Sequence, residues 1–167
     1  PNHQGLAGAF AAGLDRALQL GADVIVNTDA DNQYWGGDIE ALIAPILRGE
    51  ADMVIGNRNP AGLAHFSLAK RALQRLGSWV VRQLSGTQIP DATSGFRAIS
   101  RNAALKLNVL SDFTYTLETI IQAGKKQIAI AHVPVRANPT PRPSRLFAGH
   151  SHYIRRSAST LVRIYAL

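Results

Sequence analysis

Two aspartates one residue apart, Asp29 and Asp31, close the apolar run Val24-Ile25-Val26 and lead into Asn32 and Gln33. The run is short and β-branched, so it reads as a buried strand. Side chains alternate faces along an extended chain, so both carboxylates would point the same way at the strand's end. Carboxylates placed like this repel each other unless a cation lies between them. Hard divalent ions such as Mg²⁺ take one or two carboxylates together with substrate phosphate oxygens. The pattern points to a metal–phosphate site at the carboxyl end of a strand, where open α/β sheets receive their ligands. Asp and Asn are also ordinary turn residues, and a solvated turn is the competing reading.

Other chemistries fit less well. Asp29, Asp31, Gln33 and Glu40 occupy positions 1, 3, 5 and 12 of a calcium-loop pattern, but position 6 is Tyr34, where the sharp turn needs glycine. His150 and His152 have no HExxH or cysteine partners to make a zinc site. The absence of cysteine excludes disulfides and thiolate chemistry. No apolar run approaches the ~20 residues of a membrane span. The net charge of +7 is uneven, because no acidic residue follows Glu118 while Lys125, Lys126, Arg136, Arg142, Arg145, Arg155, Arg156 and Arg163 do. An arginine-rich region of this kind suits an anionic partner such as phosphate, a membrane surface or nucleic acid, or else forms a solvated basic face.

The elements that must position the aspartates alternate in type. Leu6, Phe10, Leu14 and Leu18 have helical spacing, with Gly21 as the stop. A second helix is expected over 38–48, capped by Asp38 and ended by Gly49. A strand over 52–56 follows, then a helix over 64–84 with Leu68, Ala72, Leu76, Trp79 and Val80 inward and Lys70, Arg71, Arg75 and Arg82 outward. Beyond a loop over 85–94, a strand is expected over 95–99, helices over 102–107 and 115–123, and a strand over 127–135. Pro139, Pro141 and Pro143 make 137–145 a loop. The alternation argues for an α/β fold with a mostly parallel sheet flanked by helices. At 167 residues the chain is about one domain.

Four segments, in order, carry a family resemblance. Asp29-Ala30-Asp31-Asn32-Gln33-Tyr34 resembles the Asp-X-Asp-X-Gln signature of GT-A glycosyltransferases of family 2. Ile55-Gly56-Asn57-Arg58 resembles an Ile-Gly-Ser-Arg segment of that family, with Asn57 in place of serine. Asp91-Ala92-Thr93-Ser94-Gly95-Phe96-Arg97 matches Asp-X-X-Ser-Gly-Phe-Arg, and Arg142-Pro143-Ser144-Arg145-Leu146 stands where Gly-X-Ser-Lys-Leu is common. The chain is similar in particular to polyprenyl-phosphate sugar transferases of the dolichol-phosphate-mannose-synthase type. Its start, Asn2 to Ala9, resembles the helix that follows the nucleobase-gripping strands of those enzymes. The resemblance therefore implies a GT-A (Rossmann-like) sheet lacking its opening strands.

What the resemblance implies about residues is specific. Asp29, Asp31 and Gln33 would hold Mg²⁺ or Mn²⁺ against the diphosphate of a nucleotide-sugar donor. Arg58, Arg142 and Arg145 would bind donor phosphate. Ser94, Arg97 and Glu118 would meet the acceptor, a polyprenyl phosphate or another molecule. Asp91 is the candidate catalytic residue, as a base or in placing sugar or acceptor, with a turn-capping role as the alternative. Transfer would proceed with inversion. The expected organisation is a partial catalytic domain over 1–147 and a basic amphipathic helix over 148–167, docked in the core or lying on an anionic membrane. The setting would be the cytoplasmic membrane face, with no nucleic acid as partner. The rival readings are a phosphatase of the haloacid-dehalogenase kind, which also places Asp-X-Asp after a strand, and a non-catalytic basic domain binding nucleic acid or other anions.

Overall fold

The computed structural model describes residues 5–59, 68–110 and 115–138. The predicted alternation of helix and strand is what forms. Helix α1 (Gly5–Gln19) leads to β1 (Val24–Asn27). A single 3-10 turn (Gly36–Asp38) precedes α2 (Ile39–Leu47), and β2 (Met53–Asn57) follows. Then come α3 (Leu68–Ser85), β3 (Arg97–Ser100), α4 (Arg101–Lys106), α5 (Thr116–Lys125) and β4 (Ile130–Pro134).

The strands form one sheet in the order β1-β3-β2-β4. Strands β2 and β4 pair in parallel, while β3 runs antiparallel to both β1 and β2. Strands β1, β2 and β4 therefore share one direction, and β3 is inserted against it. Strand β3 is linked to its neighbours by register, with Ile99 opposite both Ile25 and Met53.

Period-two alternation divides the core between the two faces of the sheet. Met53, Ile55 and Ile99 pack against Phe10 and Leu14 of α1, Val81 of α3, Ala103 and Ala104 of α4, and Ile120 and Ile121 of α5. Val54 and Ala98 point the other way and pack with Leu42 of α2, joined by Val24, Val26, Ile43 and Ile46. Central strand β2 is buried on both faces, which explains its continuous apolar run.

Two local expectations need correction. Asp38 stands at the start of α2 but makes no side-chain cap; its carboxylate instead accepts hydrogen bonds from Arg136. On α3, Leu76 and Trp79 are turned outward, 57% and 53% exposed, whereas Ser78, Val81 and Ser85 are buried. The reason is close approach: a Cβ on Gly124 of α5 would run into the Ser85 carbonyl. At that point a glycine and a serine meet, and a larger residue at 124 would not fit between the two backbones.

Candidate active site

Strand β1 ends at Asn27, two residues short of Asp29, so strand alternation does not aim the two aspartates. A turn does. The backbone N–H of Gln33 donates to Asp31 Oδ1 at 3.0 Å, and Asn32 takes a left-handed conformation with φ of 59°. Asn is among the residues that tolerate that region, because its short polar side chain bonds locally. Tyr34 then turns inward and is buried, stacked against Phe96 with ring centroids 5.0 Å apart.

The two carboxylates are close enough to disturb each other. Burial raises the Asp29 carboxyl above its ordinary range, the neighbouring charge of Asp31 raises it further, and Arg58 and Arg97 oppose both effects. No hydrogen bond from the described residues reaches the Asp29 carboxylate, which is half-buried. Glycine at position 95 makes room for it, since a Cβ there would sit 2.8 Å from Asp29 Oδ2. A half-buried carboxylate without a donor among the described residues, beside a second carboxylate, is a donor set that fits a hard divalent cation. No cluster of three or more His, Cys, Asp or Glu side chains suited to a metal occurs among the described residues. A cation here would therefore complete its shell from ligand phosphate or water.

Behind Gly95 lies a buried polar hub. Asn27 Nδ2 donates to the Gly95 carbonyl and to the Tyr115 hydroxyl, both at 2.7 Å, and Gly95 N donates to Tyr34 Oη at 3.0 Å. Tyr115 stacks on Phe10 at 3.9 Å, and burial pushes its phenol up to about 12. Arg58 and Asp91 form a bidentate ion pair at 2.7 and 2.8 Å, both side chains buried. Thr93 Oγ1 also accepts from Arg58 Nη2. Burial alone would raise the Asp91 carboxyl, but the hydrogen bonds and charge of Arg58 outweigh it and hold it below its ordinary range. Burial likewise opposes the Arg58 charge, and Asp91 more than restores it.

Several candidate residues therefore stand elsewhere than their expected roles require. Asp91 is enclosed and committed to Arg58, which removes the open lone pairs a base would need. Arg58 in turn faces Asp91 and Thr93, with its guanidinium 5.9 Å from the Tyr34 ring centroid. Arg97 is fully buried: Nε, Nη1 and Nη2 donate to the Ser94 carbonyl, Thr119 Oγ1 and the Ala92 carbonyl. That burial lowers its pKa, and it braces the 92–97 turn from inside instead of facing an acceptor. Glu118 is also fully buried, in the first turn of α5, where its Oε1 accepts from Leu110 N and Gln122 Nε2. Ser94 is buried with its Oγ left without a partner among the described residues. Arg142, Arg145 and the boundary at 147/148 lie outside the described residues, as does the basic helix over 148–167.

Tyr34, Asn27, Tyr115 and the pair Asp38–Arg136 were not picked out as site residues from the sequence. Tyr34 had a local signal, its place directly after the Asp-X-Asp-X-Gln run. Asn27 is tied to Gly95 and Tyr115 by contacts spanning 68 and 88 positions, and Asp38 to Arg136 by one spanning 98.

An open α/β sheet with an acidic pair on a loop at the carboxyl end of β1 defines the class as a GT-A glycosyltransferase fold. Solved structures agree on the fold. Glucosyl-3-phosphoglycerate synthase from Mycobacterium tuberculosis in complex with phosphoglyceric acid superposes with a TM-score of 0.72 at 20% identity, over 100% of this chain and 57% of that one. The same enzyme with Mn²⁺ and UDP-glucose superposes with a TM-score of 0.70 at 18% identity, over 100% of this chain and 56% of that one. More particularly, residues 1–107 match the model of glycosyl transferase family 2, and the chain belongs to that family. Among curated relatives, a UDP-N-acetylglucosamine–dolichyl-phosphate N-acetylglucosaminyltransferase of Methanococcus voltae is 34% identical over 80% of this chain and 55% of its own length. An undecaprenyl-phosphate mannosyltransferase of Micrococcus luteus is 26% identical over 78% of this chain and 56% of its own length. The chain thus spans a little over half the length of these two relatives.

Proposed function

We propose that this chain is the metal- and acceptor-side part of a glycosyltransferase that moves a sugar from a nucleotide-sugar donor to a polyprenyl phosphate, with inversion. The observation that carries the reading is the half-buried Asp29 carboxylate, without a hydrogen-bond donor among the described residues, next to Asp31 at the open end of the sheet. Family membership supports transferase chemistry in place of the phosphatase and basic-domain alternatives.

Asp29 and Asp31, with Gln33 beside them, would hold Mg²⁺ or Mn²⁺. When bound, the ion supplies charge neutralisation to the departing nucleoside diphosphate. The Arg58 guanidinium, held in place by Asp91, opposes the effect of burial on the Asp29 carboxyl. A polyprenyl phosphate is already anionic, so its oxygen needs little help from a base; Asp91 acts by orienting Arg58. The Ser94 hydroxyl, buried and unpaired among the described residues, is the donor offered to the acceptor or the sugar. Arg142 and Arg145 remain the candidates for closing on the diphosphate with bidentate bonds.

A membrane-face setting has its own support. Leu76 and Trp79 are exposed on α3, whose sequence carries Lys70, Arg71, Arg75 and Arg82 and no acidic residue. Exposed apolar groups among basic ones suit an anionic lipid surface. No helix among the described residues is long and apolar enough to cross a membrane.

The test is calorimetric titration with UDP- and GDP-sugars, with and without Mn²⁺, on this chain and on one extended at its N-terminus. Metal-dependent binding is expected at least to the extended chain. Absence of metal-dependent binding to both folded proteins would overturn the reading.

A further inference from the structure

The acidic loop is held from one side by the Gly95 hub. On its other side it is held by a short segment just after β4. Tyr34 bridges Ala137 in antiparallel fashion, Asn138 N donates to the Gln33 carbonyl at 2.8 Å, and Asn138 Nδ2 donates to the Asn32 carbonyl at 3.0 Å. Arg136 completes the attachment. Its backbone N–H donates to Asp38 Oδ2 at 2.6 Å, while Nε and Nη2 donate to Asp38 Oδ1 at 3.1 and 2.8 Å. Its guanidinium also lies 3.2 Å from the centroid of the Trp35 ring. Gly37 also lies against that ring, where a Cβ would collide with Trp35 Cη2 and Cζ3.

We propose that Arg136 and Asn138 form a strap that positions the Asp29–Gln33 loop for its cation, with Arg136 acting through Trp35 and Asp38. The role is one of positioning, because neither side chain touches the two aspartates. The inference rests on the metal reading of Asp29 and Asp31 for its functional consequence, but not for the strap itself. Three features carry it. The loop is largely exposed at Thr28, Ala30 and Asn32, so little packing fixes it from outside. The strap's bonds go to backbone carbonyls of Asn32 and Gln33, within two residues of Asp31. Arg136 is itself 64% exposed, a placement in which an ion pair adds little to global stability. An arginine that lies on an aromatic ring and pairs with a carboxylate in one place, while adding little to overall stability, is suited to local order.

Two readouts test it. Hydrogen–deuterium exchange over 29–38 is expected to accelerate in Arg136→Ala and in Asn138→Ala with nearly unchanged thermal midpoints. Arg136→Lys, which keeps a charge beside Asp38 but not the planar stack, should fall between wild type and Arg136→Ala. Exchange unchanged in both alanine variants would overturn the strap. Mn²⁺ affinity, read by the loss of the free-ion EPR signal, should weaken about tenfold in Arg136→Ala, as for other groups that orient ligands from behind. Unchanged affinity in a variant with accelerated exchange would overturn the positioning role. Failure of the wild-type protein to bind Mn²⁺ would instead overturn the metal reading, with the strap still judged by exchange.

Discussion

Two regions meet at Gly95 and differ in nearly every physical respect. Behind it, Arg58, Asp91, Arg97 and Tyr115 are enclosed, and each is joined to a partner by hydrogen bonds. In front of it, Asp29 and Asp31 lie half-buried on a turn whose other residues are largely exposed, and no donor among the described residues reaches Asp29. The family signatures cover both regions alike, yet only the front leaves a carboxylate that no donor among the described residues reaches. The polar residues behind hold the turn whose glycine lets Asp29 sit against it. A motif residue is therefore not automatically a contact residue, and burial with full hydrogen bonding distinguishes the two.

That contrast can be broken most sharply at the ion pair. Asp91→Ala leaves Arg58 buried and uncompensated, and should cost about 3–5 kcal/mol in urea unfolding. The double variant Arg58→Met/Asp91→Leu should recover much of that loss. An Asp91→Ala protein of unchanged stability that has lost turnover would return Asp91 to the role of base. The pH dependence carries the same sign. The folded Asp91 carboxyl lies below its ordinary 3.8, so the pair's contribution is complete above that value and disappears as pH falls through the folded one.

Next in size is the front. Asp31→Asn should weaken Mn²⁺-dependent donor binding by about a hundredfold while leaving the unfolding midpoint in place. Equal binding by this variant would remove Asp31 from the metal site. Gly95→Ala joins the two regions, since its Cβ would stand 2.8 Å from Asp29 Oδ2 and displace the carboxylate. A loss of about tenfold in metal affinity is expected, read by EPR titration.

The smallest effect is the most diagnostic. The folded Asp29 carboxyl lies above its ordinary 3.8, so on acidification the native state takes up this proton before the unfolded chain does. Its ionisation therefore costs stability, and the cost sets in as pH rises from 3.8 through the folded value. Asp29→Asn should slightly raise the melting temperature of the metal-free protein at neutral pH and abolish the gain on adding Mn²⁺. A lower melting temperature in metal-free Asp29→Asn would show that the carboxylate is a structural anchor.

Much was legible from local pattern. Hydrophobic periodicity placed every helix and strand among the described residues, and the run ending at Asp29 marked the open end of the sheet. Ser94-Gly95-Phe96-Arg97 was legible as a site segment, but whether each member faced in or out was not. Arg97 and Glu118 illustrate why: a charged residue's burial depends on what the chain supplies from elsewhere, here the Thr119 hydroxyl and the Leu110 amide. The phase of α3 failed for a related reason, because backbone approach to α5 outweighed the usual inward turn of an apolar stripe.

The sequence by itself determined the element order and the place of the acidic turn, since these depend on residue type and near-neighbour spacing. Only the tertiary structure decided that β3 runs against its neighbours, that Asp91 is bound to Arg58, and that Arg136 lies on Trp35. Such contacts join residues tens of positions apart, and their geometry is set by packing across the whole sheet, which no local pattern encodes.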